Sequence, residues 1–211
     1  MKTLSKQANV AFYFVYTAAS FILGSIVIIK SINFYQFLAG SAGILLGFAN
    51  IFLLVIKVAI KDNTDVENFA KPLSFANKMN AAIMSLMYVM LWKIGLISLR
   101  VFLPLWISLL MYILAGIRIL LCFGYHNKNL ELKVPLQWIL LRNIPYFIQN
   151  IMVIGLFFLN RNQNLSLAWI ALSICFVCYI IRIFLQEKQI KSNLFAIPES
   201  IAYIWLISMF L

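Results

Sequence analysis

The polar residues in the apolar run around Arg142 are the first candidates for chemistry. Gln137, Arg142, Asn143, Tyr146, Gln149 and Asn150 interrupt a stretch that otherwise reads as membrane-embedded. At 3.6 residues per turn Asn143, Tyr146 and Asn150 share one helix face, with Arg142 at its flank. A charge near mid-bilayer costs from about 2.5 to over 10 kcal/mol depending on the measure, so Arg142 requires a partner. Pro145 frees a carbonyl one turn earlier, near residue 141, and can kink the helix there.

Three further charges raise the same question. Arg118 and Arg182 lie about one turn inside the ends of their apolar runs, and Glu199 follows Pro198 near the start of the last one. In the expected topology these three share a depth, with Arg142 a turn or so deeper. Arginines gathered around one glutamate keep a positive surplus, and planar guanidinium groups suit phosphate or carboxylate. The candidate binding set is therefore Arg142, Asn143, Tyr146, Gln149, Glu199, Arg118 and Arg182. A second reading stands beside it. The arginines extend to lipid headgroups, the amides bridge helices, and Glu199 pairs with Arg182 or Lys191. Glu199 is the only acidic residue in any apolar run, so it is the one carboxylate there that could couple to protons.

Other chemistries are disfavoured by what the runs contain. His126 is the single histidine and falls in a loop, which argues against bis-histidine haem, histidine-ligated zinc and a Ser-His-Asp triad. No pair of intramembrane aspartates is present to hold a magnesium–diphosphate. Cys175 and Cys178 lie one turn apart in mid-span and Cys122 ends another span; they read as small packing residues, not a redox pair. No catalytic residues, metal or cofactor are expected, and the chain does not read as an enzyme.

The elements that must carry these residues follow from composition. Of 211 residues 64% are hydrophobic and 11% charged, and mean hydropathy is +0.96. Soluble domains run near 45–50% apolar and about 25% charged. The chain is therefore expected to be an all-α, polytopic helical bundle forming one transmembrane domain over residues 1–211. A crossing needs roughly 20 apolar residues, and the runs fall at about 10–29, 34–56, 80–99, 101–123, 134–160, 166–186 and 195–211. Residues 81–123 as one helix would be about 64 Å long, twice the hydrocarbon thickness, so a break is expected near Arg100, with Pro104 in the next helix's first turn. Seven spans are expected, or six if the short last one does not cross. The first run follows Lys2 and Lys6 without a clear cleavage site and reads as a retained helix. The loop at about 57–79 is too short to fold alone.

Charge distribution predicts orientation. With the N-terminus in the cytoplasm, twelve basic residues collect on that side: Lys2, Lys6, Lys57, Lys61, Lys71, Lys78, Arg118, Lys128, Lys133, Arg182, Lys188 and Lys191. Lys30, Lys93, Arg100 and Arg161 fall on the other. This positive-inside bias places the C-terminus outside. The excess of 17 Lys and Arg over 6 Asp and Glu thus reports membrane orientation, and nucleic acid is not an expected partner.

Two internal likenesses suggest a repeat. Asn9-Val10-Ala11-Phe12-Tyr13-Phe14 in the first run parallels Asn143-Ile144-Pro145-Tyr146-Phe147-Ile148 in the fifth, and Phe75-Ala76 parallels Phe195-Ala196. A 3+1+3 plan with the fourth helix as linker would follow. In helix count and order alone that plan is similar to sugar transporters of the SWEET type and to nicotinamide-riboside transporters. Their binding motifs are not found; Pro135-Leu136-Gln137 is no Pro-Gln dipeptide. Gly40, Gly43 and Gly47 form a small-residue face on the second helix, expected to pack closely against another.

Three functions fit. One is a small permease for a polar or anionic molecule using Arg142 and Glu199. Another is a non-catalytic accessory, assembly or immunity subunit acting through a partner membrane protein or as a homo-oligomer. The third is lipid scrambling or headgroup modification.

Overall fold

The apolar runs become seven helices in a computed structural model that describes residues 2–59, 69–124, 136–160, 165–187 and 195–211. They are α1 (Lys2–Ile29), α2 (Phe34–Ala59), α3 (Ala70–Ser98), α4 (Leu105–Phe123), α5 (Leu136–Leu159), α6 (Ala168–Glu187) and α7 (Ala196–Ser208), with no strand among the described residues. The first six are long and apolar enough to cross a membrane. The chain is a helical multi-pass membrane bundle. His126, Arg161, Lys188, Lys191 and the acidic residues of the loop after α2 lie outside the described residues.

Helix boundaries differ from expectation mainly at two starts: α1 begins at Lys2, eight residues before Val10, and α3 at Ala70, ten residues before Asn80. The extra turns of α3 carry Lys71, Asn77 and Lys78, yet they bury Ala76 completely. Their amphipathic pattern continues the helix beyond the apolar run. The break near Arg100 occurs where expected. Arg100 adopts φ 52°, Val101 N–H donates to Leu96 O and Arg100 N–H to Ile97 O, and this paired closure satisfies the last carbonyls of α3. Pro104 caps α4 and is not within its first turn.

Packing follows a closed order. Each of α1, α2, α3, α5, α6 and α7 touches the next, and α7 returns to α1, while α4 packs on α3 and α5. Renumbering 1→5, 2→6 and 3→7 maps the α3·α5 contact onto α7·α1, as a 3+1+3 duplication requires. The symmetry is broken by an α2·α7 contact without an α6·α3 counterpart of similar extent. The triplets also differ in length, with 28, 26 and 29 residues against 24, 20 and 13. At 13 residues α7 is only about 20 Å long. It nevertheless reaches the α1–α2 end of the bundle, where Gln36 Nε2 donates to Phe210 O.

The α1–α2 seam uses the small-residue face. A Cβ on Gly40 would lie 2.6 Å from Gly24 O, and one on Gly24 would lie 2.8 Å from Gly40 O. The expected glycine stripe thus finds its partner in Gly24, whereas Gly47 receives the ring of Phe21. Gly40→Leu is expected to lower stability by about 3 kcal/mol or more, since backbone must move to admit the side chain. Gly116→Leu, at a position with nothing within 4 Å, should leave the detergent melting temperature unchanged. Equal melting of both variants would contradict this packing.

Candidate functional site

Arg118 is the largest of the fully buried side chains, 1% exposed. It projects from α4, two turns past Met111 and one turn before Cys122, on the face that α4 buries. A helix with arginine on its apolar face must either turn that residue to lipid and extend it or enclose it in protein. Here α3, α5 and α6 enclose it. Nη1 donates to Ser85 Oγ at 3.1 Å and Nη2 to Tyr179 OH at 3.3 Å, while Cζ lies 3.6 Å from the centroid of the Tyr146 ring. Nε is buried without a hydrogen-bond partner among the described residues.

The acceptors around Arg118 are oriented by their own donations. Ser85 Oγ gives its proton to Ala81 O, leaving lone pairs for the guanidinium. Tyr179 OH donates to Asn143 Oδ1 at 2.7 Å, and Asn143 Nδ2 donates to Ile139 O. Every proton in this chain points away from the cation. Beyond it, the Tyr203 hydroxyl lies 3.2 Å from that of Tyr88 and 3.3 Å from that of Tyr146. The Tyr146 ring meets Tyr88 and Tyr179 edge to face. Helices α3, α4, α5, α6 and α7 thus all contribute to one polar cluster.

Among the described residues no carboxylate neutralises Arg118. Glu199 is the single acidic residue whose side chain is among the described ones, and it pairs with Arg182 at 2.5 Å. Desolvating a guanidinium costs several kcal/mol. Hydrogen bonds to a charged group return about 1.5–3 kcal/mol each, and a desolvated cation–π contact about 2 kcal/mol. Those gains roughly cancel the cost, so the fold tolerates the cation and keeps its field available.

The candidates taken from sequence divide into four places. Arg118, Asn143 and Tyr146 meet in the cluster. Arg182 and Glu199 form their own pair across α6 and α7, with the Tyr179 hydroxyl electrostatically coupled to Arg182. The three-arginine group around Glu199 does not form: only Arg182 reaches the carboxylate, because Arg118 points instead between α3, α5 and α6. Arg142 is half-buried with its Nε enclosed. With Arg118 and Lys78 it acts electrostatically on Cys122, one turn outward from Arg118. It lies six residues inside the start of α5, and Arg118 five from the end of α4, so the two sit within one residue of the same depth and the expected extra turn is absent. Gln149 lies one turn past Tyr146, with Nε2 donating to Met111 O.

Ser85, Tyr88, Tyr179 and Tyr203 join the site without having been singled out from sequence. One signal existed. Tyrosine is expected at membrane interfaces, and these three sit in mid-run, with Ser85–Tyr88 and Tyr179–Arg182 each three residues apart on one helix face. No family model, curated protein or solved structure matches the chain.

Proposed function

We propose that the protein is a small permease for an anionic solute, held during passage at Arg118. The observation that carries this reading is a wholly enclosed guanidinium with no carboxylate paired to it among the described residues. A cation left unneutralised in low dielectric attracts an anion far more strongly than one at the surface. Lys78 and Arg142, electrostatically coupled with Arg118 to Cys122, supply a basic approach from the ends at which α3 and α5 begin. Such a track raises the local anion concentration. With the N-terminus cytoplasmic, as the basic-residue bias argues, that approach opens to the cytoplasm and the C-terminus lies outside. Glu199 and Arg182 then stand beside the route as a neutral pair.

The test uses the purified chain in detergent and in proteoliposomes, at fixed ionic strength. Inorganic phosphate and short carboxylates should raise its melting temperature, and a bound anion should exchange across the vesicle membrane. Arg118→Lys should weaken apparent affinity by about tenfold or more, since an ammonium cannot stack on Tyr146 and fork to two oxygens together. Identical anion responses in the two proteins would refute the assignment.

A further inference from the structure

Two buried acceptors on α5 also lack partners among the described residues. Asn150 and Gln149 are both 0% exposed, and Asn150 Oδ1 and Gln149 Oε1 have no hydrogen bond among the described residues. Their orientation is fixed chemically. Asn150 Nδ2 donates to Tyr146 O at 2.8 Å and Gln149 Nε2 to Met111 O at 3.4 Å. A carbonyl only accepts, so in each amide the NH2 end must face it and the oxygen is left over.

These acceptors and the unpartnered Nε of Arg118 flank one residue. Arg118 covers the Tyr146 ring, while the Asn150 amide, from one turn further along α5, bonds back to the Tyr146 carbonyl. Gln149 is anchored to α4, the helix that carries Arg118. A free donor with a positive charge and two free acceptors are thus gathered around the turn of α5 from Tyr146 to Asn150. An anion without protons to donate would answer the cation and leave both amide oxygens unfilled.

We propose, building on the anion reading of Arg118, that the solute is an amino or hydroxy carboxylate. Its carboxylate faces Arg118, and its ammonium or hydroxyl donates to Asn150 Oδ1 and Gln149 Oε1.

A series of matched probes tests this with the full chain in detergent: propanoate, 3-hydroxypropanoate, 3-aminopropanoate and propylamine, each titrated at constant ionic strength against melting temperature. The hydroxy and amino acids should show apparent affinities at least tenfold tighter than propanoate, and propylamine should show no effect. Asn150→Leu and Gln149→Leu should each reduce that preference. Equal affinities for the three carboxylates in the unmodified chain would overturn the proposal and leave the anion reading standing, with water as the occupant of the amides. No response to any carboxylate or to phosphate would overturn both. The comparison on the unmodified chain decides the matter even if a leucine variant fails to fold.

Discussion

Arg118→Met is expected to melt at or above the temperature of the unmodified chain and to lose every anion-dependent stabilisation. The argument rests on what each partner keeps. Ser85 retains its bond to Ala81 O and Tyr179 its bond to Asn143, so removing the guanidinium strands no donor. Methionine is close in length and fills the same channel between α3, α5 and α6 with apolar atoms. Replacing buried charge by a well-packed apolar side chain is often neutral or stabilising, by about 1–4 kcal/mol. Arg118→Ala differs, because the emptied volume costs about 2–5 kcal/mol. A structural role would show the opposite order: Met would lose several kcal/mol, like Ala, and anion responses would survive in whatever fraction still folded. Paired melting curves with and without phosphate, for the three proteins, separate the alternatives. Stability gained by deleting a polar group is the usual sign that the group serves function.

How far the sequence disclosed this site depends on what kind of information each residue carries. The helices were readable because length and hydropathy are local properties; even the break at Arg100 followed from a length argument. The α3 start was missed because Lys71, Asn77 and Lys78 lower the mean hydropathy while leaving one face able to bury Ala76. The polar face of α5 was also visible, and its members Asn143, Tyr146, Gln149 and Asn150 are all buried. Arg142 drew the most weight from sequence, since it appeared the deepest charge. Which arginine is enclosed, however, depends on helix rotation and on neighbours distant in sequence. Arg118 is bonded to residues 33 and 61 positions away, and no periodicity within α4 reports those distances. The tyrosine hydroxyls that meet at Tyr203 come from α3, α5 and α7, so their convergence is a property of the closed helix order, not of any one segment. Glycine shows the same limit. The face on α2 was legible, but its partner Gly24 was not.

The Arg182–Glu199 pair should respond unequally to loss of its two members. Arg182 is 35% exposed at its side chain and Glu199 only 8%. Glu199→Gln leaves an arginine that can extend towards headgroups, and the amide oxygen can still accept from it. The expected cost is about 1 kcal/mol. Arg182→Met instead strands the carboxylate among α1, α6 and α7, beside Tyr16, Cys175 and Tyr203. Its position in the first turn of α7 offers dipole stabilisation of only about 0.3–1 kcal/mol. Breaking a wholly buried pair costs about 3–5 kcal/mol; with one partner a third exposed, about 2–4 kcal/mol is expected. The double variant Arg182→Met with Glu199→Met should recover most of that loss, because no charge remains to be solvated. Melting in detergent at neutral pH ranks the three. Equal losses in the two single variants would mean that both charges reach solvent, and the pair would then be no fixed neutral wall beside Arg118. An intact ranking, together with anion responses unchanged in Glu199→Gln, would assign the binding charge to Arg118 alone.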